Sequence, residues 1–357
     1  MVRSRPGYCL CVLPDETVPE GFSVRAPTPD DAAAIAELIN EVSTAEAGFP
    51  WTTTEETRDE LTTPRDDATP PEVILVDDAG SFAGYLQVTK WDTSEFQLLA
   101  FVRPRFWGRG MSAWLIRRGE MDVVARAGGS ASGVLTRVAR FAGNEPAARL
   151  FRALGYAYER TFWMMRIELA NAAASTTTLD GIQIRTFERA ADERRVYDAI
   201  AEAFADHWGS WSETFDRFRR ARIDGEGARF DPTLWFVAVD GDAIVGAACC
   251  SASTPRAEDT GEVNLLGVRK PWRRRGVGIA LLRTAFDEMR GRGIGRCELG
   301  VDAENPTGAT RLYERAGMHV AYSWDIWVKT LDPARTAKRA ARLAAPGTAV
   351  REHSRSS

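Results

Sequence analysis

The sequence predicts a mixed α/β protein in which one fold, a mostly antiparallel sheet flanked by helices, occurs twice in tandem. The first observation is that both halves carry the same order of patterns: strand, helix, hairpin, long strand, glycine-rich loop, helix, strand, helix and strand. The second is composition: 44% hydrophobic and 27% charged residues over 357 positions are typical of a globular chain of roughly two domains. We therefore expect two domains of similar architecture.

The first copy is predicted over residues 21–168, after an N-terminal arm at 1–20 that contains prolines and no clear period. Its predicted elements are, in order, a strand at 22–25, a helix opened by Pro29, strands at 73–76 and 82–88 around a turn, a strand at 96–102, an Arg/Gly loop at 103–110 and a helix at 111–126. A small, polar segment at 169–181 follows, and we predict that it is a flexible linker.

The second copy is predicted over residues 182–331, and the basic tail at 332–357 is predicted to be flexible. Its elements repeat those of the first copy: a strand at 182–185, a helix at 192–204, strands at 234–239 and 243–250 around a turn, a strand at 263–268, an Arg/Gly loop at 269–278, a helix beginning at Gly278, a strand at 297–301 and a last helix that carries Tyr313. The repetition indicates a duplication.

The loop at 269–278 is the segment with the clearest chemistry. It joins a strand to a helix and is dense in arginine and glycine. Glycines let backbone N–H groups approach a ligand closely, and a helix start adds unpaired amides and the positive end of a dipole. This predicts a cradle for a pyrophosphate, although the spacing is neither that of a P-loop nor that of the dinucleotide fingerprint. The alternative is a solvated Arg-rich turn.

Composition excludes several other functions. The formal net charge of −4 argues against a general nucleic-acid binder. No apolar run approaches membrane-spanning length, and Pro14 interrupts the apolar start too early for a secretory signal, so a cytoplasmic protein is expected. The five cysteines lack metal-finger spacing, which favours reduced thiols, and Cys249 and Cys250 are expected in the core. With three histidines, no metal site is predicted.

The pattern Arg273-x-x-Gly276-x-Gly278, preceded by a strand that ends Leu266-Gly267-Val268, resembles the acyl-CoA loop of the GNAT superfamily of acetyltransferases. The resemblance covers both copies and implies acetyl-CoA as the acyl donor. The residues that it places at the cofactor are Leu266, Gly267, Val268, Arg273, Arg274, Arg275, Gly276, Val277, Gly278, Ile279 and Asn305. Gly267 further suits a bulge at which the strand splays, or else only relieves packing.

The resemblance also implies catalytic residues. Tyr313, in the context Arg-Leu-Tyr-Glu-Arg-Ala-Gly, resembles the general acid that protonates the departing CoA sulfur, although a tyrosine on an amphipathic helix is often a core residue. Glu262 resembles the general base of tandem GNAT enzymes of the mycothiol-synthase type, and its alternative is a solvated strand-end carboxylate. His207 and Trp208 lie in a segment that lines the acceptor site in this family, or are structural.

The first copy departs from the pattern at these positions. Trp107 stands where the second copy has Arg273, Ser112 stands in place of Gly278, and the residue that matches Tyr313 is Phe151. Because phenylalanine cannot donate a proton, the first copy is predicted to be catalytically silent. The alternative is that these are tolerated variants in a second active copy.

These observations predict an acetyl-CoA-dependent N-acetyltransferase, active through its second copy, that acylates the primary amine of a small molecule. One alternative is mycothiol synthase, which acetylates a cysteinyl-glucosaminyl-inositol precursor, and another is a non-catalytic acyl-CoA-binding module. The oligomeric state is left open. Acidic groups such as Asp206, Glu213 and Asp216 are candidates to hold a cationic acceptor, or form an ordinary solvated helix face.

Overall fold

The computed structural model describes residues 18–62, 73–77, 79–92, 94–126, 133–174, 179–205, 213–224, 230–254, 257, 259–305 and 307–332. The strands in these segments are β1 (Phe22–Arg25), β2 (Val73–Asp77), β3 (Phe82–Asp92), β4 (Glu95–Val102), β5 (Val134–Phe141), β6 (Ala157–Glu168), β7 (Ile182–Thr186), β8 (Trp235–Asp240), β9 (Ala243–Ser251), β10 (Thr260–Val268), β11 (Arg296–Asp302) and β12 (His319–Leu331). The helices are α1 (Ala32–Ala47), α2 (Thr54–Thr62), α3 (Met111–Arg126), α4 (Glu145–Ala153), α5 (Arg189–Phe204), α6 (Phe215–Arg219), α7 (Val277–Gly291) and α8 (Ala309–Arg315).

The predicted mixed α/β architecture with a mostly antiparallel sheet is confirmed, and two predicted helices differ at their first residue. Helix α5 begins at Arg189 instead of Asp192. The Asp192 carboxylate is buried, where it accepts hydrogen bonds from the Arg185 guanidinium and from the backbone N–H of Glu188, so it fixes the first turn. Helix α7 begins at Val277, one residue before the predicted start, because Gly276 is the N-cap.

The chain divides into two compact units that are built from discontinuous segments. The first unit comprises Met1–Pro27, Pro64–Arg137 and Lys329–Ser357, and the second comprises Thr28–Thr63 and Val138–Val328. These limits differ from the two copies expected from the repeat, whose limits stay a prediction. In the first unit the strand order is β1-β2-β3-β4, followed by residues 134–137 of β5, and the registers of β1 to β4 are antiparallel.

The second unit has the strand order β12-β6-β11-β10-β9-β8-β7. Within it β10 and β11 run parallel, and the registers of the other neighbours are antiparallel. Strand β6, the last strand of the first sequence copy, lies between β11 and β12, the last two strands of the second copy. The sequence patterns did not predict this arrangement.

Helices cover both faces of this sheet. Side chains on β9 alternate between two cores: Cys250 packs in the core under α7, and Cys249 packs in the core under α5. Both cysteines are fully buried free thiols, as expected, and burial raises the pKa of Cys249 to about 12. Cys9 and Cys11 lie outside the described residues.

The beginning of the predicted linker belongs to the core. Leu169 and Ala172 are buried, and the Arg290 guanidinium donates a hydrogen bond of 2.9 Å to the carbonyl of Ala172. Burial of these two apolar side chains holds residues 169–172 against α7. This part of the predicted linker is therefore packed in the core.

No helix within the described segments is both long and apolar enough to cross a membrane.

Candidate active site

The site begins where two parallel strands separate. Residues 260–262 of β10 pair with residues 296–298 of β11, and the register stops there. A bulge between Val263 and Leu265 then turns β10 away. The two strands enclose a cavity of about 610 Å³, which is lined by residues 263–268 on one side and by 299–302 on the other. Open strand edges with unpaired backbone groups can bind an extended ligand as an added strand.

The Arg/Gly loop closes one end of this cavity. Gly276, with φ 84°, caps α7, and Arg274 has φ 62° although it carries a side chain. Left-handed backbone at these two positions turns the chain sharply into the helix, whose first amides have no partner within the helix. Arg274 and Gly276 line the cavity, and the Arg274 side chain is exposed beside it. This end therefore offers backbone amides and positive charge to an anion.

Arg273 stabilises the loop through two hydrogen bonds to backbone carbonyls. Its Nε donates to the carbonyl of Val268 at 3.0 Å, and Nη2 donates to the carbonyl of Ala203 at 2.8 Å. The guanidinium thus ties the end of β10 to the end of α5. Arg273 lines the cavity, but these bonds commit much of its side chain to holding the loop.

The corresponding loop of the first unit has the same backbone conformation. Gly108 and Gly110 have φ of 77° and 81° at the positions of Arg274 and Gly276. Trp107 takes the bracing role there, because its indole N–H donates to the carbonyl of Val102 at 2.6 Å. The loss of the arginine in the first copy therefore left the loop intact as a structure.

Tyr313 lies on α8 and lines the cavity. Its side chain is 7% exposed, and within the described segments its hydroxyl makes no hydrogen bond. Burial raises its pKa to about 12, so the phenol keeps its proton throughout the neutral range. A tyrosine on the wall of a cavity, with no hydrogen bond to its hydroxyl in these segments, is suited to a ligand atom.

Asn305 also lines the cavity, between β11 and α8. Its side-chain oxygen accepts hydrogen bonds from the backbone N–H of Thr307 at 2.9 Å and from the Thr307 hydroxyl at 2.5 Å. The residue therefore holds the turn that leads into α8. This role can coexist with a contact from its amide nitrogen.

Glu262 occupies the last paired position before the strands separate. A Cβ on the preceding Gly261 would meet Met289 of α7, so the Glu262 side chain is on the opposite face, the face of α5. Its direct partner on β11 is Glu298, which is 3% exposed and accepts a hydrogen bond of 2.6 Å from the Arg166 guanidinium. Glu262 itself does not line the cavity, but its neighbour Val263 does.

Most of the residues predicted to hold the cofactor are brought together here. Those that line the cavity are Leu266, Gly267, Val268, Arg273, Arg274, Gly276, Val277, Gly278, Ile279, Asn305 and the predicted acid Tyr313. Arg275 is exposed on the loop and is not among the lining residues. His207 and Trp208, predicted to contact the acceptor, lie outside the described residues, as does Asp206. Glu213 is paired with Arg222.

The expected bulge at Gly267 was misplaced. The register of β10 shifts at Asn264 and is continuous from Leu265 to Val268. A Cβ at Gly267 would lie 2.8 Å from Cδ1 of Ile200 and 3.0 Å from Cβ of Ala203, so this glycine permits the close approach of α5. The polar Asn264 takes the extra position, where its side chain hydrogen-bonds the Ser251 hydroxyl.

Several residues at the site were missed. Phe162 lines the cavity from β6, Gly300 and Asp302 line it from β11, and Ala203 and Phe204 line it from the end of α5. The alternation of β11 could have predicted that Gly300 and Asp302 share a face. No pattern in the sequence could have placed Phe162 there, because it belongs to the other copy.

A family model described as "Acetyltransferase (GNAT) family" matches residues 195–318. The mycothiol acetyltransferase of Acidothermus cellulolyticus is 34% identical over 258 residues, which cover 68% of this chain and 74% of that protein. The mycothiol acetyltransferase of Thermobispora bispora is 31% identical over 250 residues, which cover 68% and 79%.

Solved structures agree on the fold. A GCN5-related N-acetyltransferase from Sphaerobacter thermophilus superposes with a TM-score of 0.76 and 34% identity, over 88% of this chain and 97% of that chain. A tandem GNAT protein from the clavulanic acid biosynthesis pathway superposes with a TM-score of 0.66 and 14% identity, over 87% and 98%. The second likeness bears on the fold alone.

Proposed function

Because the chain belongs to the GNAT family of acetyltransferases, we propose that it transfers the acetyl group of acetyl-CoA to the primary amine of a small molecule, at the cavity of the second unit. The observation that carries the proposal is the buried Tyr313, which lines a cavity between separated strands at the end of an amide-rich loop. This combination supports acyl transfer from a thioester.

The chain's residues fit acetyl-CoA. The loop at 274–279 would hold the pyrophosphate through its amides and the Arg274 side chain. The edge of β10 at 266–268 offers backbone groups to the pantetheine arm, as an added strand would use them. Acetyl-CoA, when bound, supplies the activated acetyl thioester. The cavity of about 610 Å³ is within the usual range for a small-molecule site.

Glu262 removes a proton from the ammonium group of the acceptor, directly or through water, so that the nitrogen lone pair can attack the thioester carbonyl. As the new C–N bond forms and the C–S bond breaks, Tyr313 donates its proton to the leaving sulfur, and the surplus proton of the nitrogen passes to water, from which the phenolate regains a proton. Its raised pKa keeps that proton available at neutral pH. The proposed acid is on α8 and lines the cavity, and the proposed base is on β10, at the last paired residue before the strands separate.

The first sequence copy would be silent. Phe151, which matches Tyr313, is buried and packs against Tyr156 and Trp327. Phe96, which matches Glu262, is also buried. Neither side chain can transfer a proton. The cytoplasmic location and the absence of a nucleic-acid partner stay predictions from the sequence.

A second candidate is mycothiol synthase activity. It is supported by relatives named mycothiol acetyltransferase at 31% and 34% identity. In that case the acceptor would be the cysteinyl amine of a glucosaminyl-inositol precursor.

Calorimetric titration with acetyl-CoA tests the binding part of the proposal. We expect one site, which Gly276→Asp abolishes, because an anionic side chain replaces the glycine that caps the pyrophosphate loop. The matched control is Gly110→Asp in the first unit, because Gly110 has φ 81° and Gly276 has φ 84°. This control should leave acetyl-CoA binding intact. Binding that survives Gly276→Asp, or is lost only in Gly110→Asp, would place the cofactor in the other copy.

The pH dependence of turnover tests the base. Glu262→Gln should lower kcat by about 100-fold or more and remove the rising limb of the pH profile. The substitution keeps size and hydrogen-bonding ability, so acetyl-CoA affinity should stay within about threefold. A profile that keeps its rising limb would assign the base to another group.

A further inference from the structure

The face of the sheet that carries Glu262 continues away from the cavity as ordered rows. Directly opposite residues on neighbouring strands point to the same side, and so do residues two apart on one strand. Three rows across β11, β6 and β12 therefore share this face. They are Glu298, Arg166 and His319; Gly300, Met164 and Tyr322; and Asp302, Phe162 and Trp324.

Gly300 leaves a hollow in the middle row. A Cβ at this position would have Trp324 as its nearest neighbour, at 3.9 Å, so the space above the strand is open. Gly300 lies two residues from Glu298, or about 7 Å along β11, and Glu298 is the direct partner of Glu262. Gly300 also lines the cavity of the candidate active site. The hollow is thus continuous with that site and next to its base.

Aromatic side chains form one wall of the hollow. Phe162, which also lines the cavity, and Trp324 are stacked with ring centroids 5.9 Å apart and planes at 10°. Tyr322 is in contact with Trp324, and Phe49 and Trp51 pack in turn on Tyr322. Each of these side chains is only partly buried.

The two carboxylates in these rows already have protein partners. The Glu298 carboxylate is paired with Arg166, and the Asp302 carboxylate is paired with Arg160 and accepts the backbone N–H of Glu304. With these carboxylates paired, Phe162 and Trp324 offer a ligand flat apolar surface, which suits an aromatic ring. The face therefore favours the aromatic ring.

We propose that the hollow above Gly300 holds the body of the acceptor, and that this body is an uncharged aromatic ring joined by a short linker to the reactive amine. The inference rests on the proposed function, because it takes Glu262 as the group that receives the amine proton. The ring would stack on Phe162 and Trp324 while the amine reaches the row of Glu262.

The test compares three amines as acceptors with acetyl-CoA: 2-phenylethylamine, n-hexylamine and glucosamine. We expect kcat/KM for phenylethylamine to exceed that for hexylamine by about tenfold, as stacking on two rings would give. Trp324→Leu should remove this preference and Trp324→Phe should keep it, because only the second retains a flat face. Gly300→Val should fill the hollow and raise KM for phenylethylamine more than for hexylamine. Equal values for the two amines, or a preference for glucosamine, would overturn the inference.

Ligand-detected saturation-transfer NMR separates this inference from the proposed reaction. Phenylethylamine should bind the full chain, and its ring protons should lose their signal with Gly300→Val. Ring binding at this position without acetylation would uphold the acceptor surface and refute the proposed activity. Acetylation of amines without ring selectivity would support the proposed activity and refute the acceptor surface.

Discussion

Tyr313 shows how one side chain can be both core and candidate catalyst. It is packed among the apolar residues under α7 and α8, yet it also lines the cavity. The aromatic ring supplies the packing, and the hydroxyl supplies the chemistry. A phenylalanine in its place would separate the two contributions.

We therefore expect Tyr313→Phe to lower kcat by about 100-fold or more while the dissociation constant for acetyl-CoA changes by less than about threefold. The ring and its packing are kept, so the melting temperature should be nearly unchanged. Steady-state kinetics and calorimetry on the same preparations measure both quantities. Unchanged turnover would remove the acid role.

The raised pKa gives a second expectation for the same residue. An ordinary tyrosine loses its proton near pH 10, whereas burial raises the pKa of Tyr313 to about 12. A general acid works only while it is protonated, so its loss should not reduce the rate until the pH approaches the raised value. We expect no falling limb near pH 10 in the kcat profile. A decline there that disappears in Tyr313→Phe would contradict the burial effect.

Gly267 makes a separate prediction about stability. Gly267→Ala places a methyl group 2.8 Å from Ile200 and 3.0 Å from Ala203, and overpacking of this kind costs about 1–3 kcal/mol. Gly291→Ala is the matched control, since a Cβ there has nothing within 4 Å and Gly291 ends α7. Urea unfolding should show a loss for the first and none for the second. Equal stability of both variants would mean that α5 shifts freely.

At the scale of the secondary-structure element, β6 has the least expected role. Its register puts Arg166 opposite Glu298, and Glu298 is opposite Glu262. The strand of one copy thus supplies the cation that neutralises a carboxylate beside the candidate base of the other. We regard Arg166 as a positioning residue, because it acts on Glu262 through Glu298.

Changing this pair should move the pH profile. Arg166→Gln removes the guanidinium that pairs with Glu298, and the negative charge left beside Glu262 should move the rising limb of kcat/KM to higher pH. Glu298→Gln removes the charge and should move the limb to lower pH. The double variant should lie between the two. A limb that stays in place in all three variants would refute the coupling.

At the scale of the whole molecule, the two copies in sequence are not the two compact units in space. Strand β6 lies between β11 and β12, so the second unit draws a central strand from the first copy. A strand in that position contributes two ladders of backbone hydrogen bonds and covers apolar surface on both neighbours.

A fragment covering residues 179–357 contains the whole predicted second domain but lacks β6, and we expect it to unfold without a cooperative transition or to aggregate. The comparison is a fragment covering 138–357, which keeps β6 beside β11 and β12 and should retain more native near-UV circular dichroism. If the shorter fragment unfolds cooperatively with the stability of the longer one, the second copy is an independent domain as predicted.

Local patterns were sufficient for much of this protein. The Arg/Gly loop, the helix after it and the strand before it follow from consecutive residues, since proline, glycine and apolar spacing act over a few positions. Most of the predicted cofactor residues lie on one strand–loop–helix unit, and Tyr313 lies on the helix after β11. Residues of both stretches line one cavity.

Tertiary structure alone decided the rest. Strand pairing joins residues that are far apart in sequence, and the alternation within a strand reveals its faces but not its neighbours. The partner of Glu298, the stacking of Phe162 on Trp324 and the open space above Gly300 all arise from the insertion of β6 between β11 and β12. The sequence by itself determined that two copies of one α/β fold exist, and it predicts that the second copy retains the donor chemistry. Which strands meet, and so the surface beside the candidate base, was decided by long-range pairing and packing.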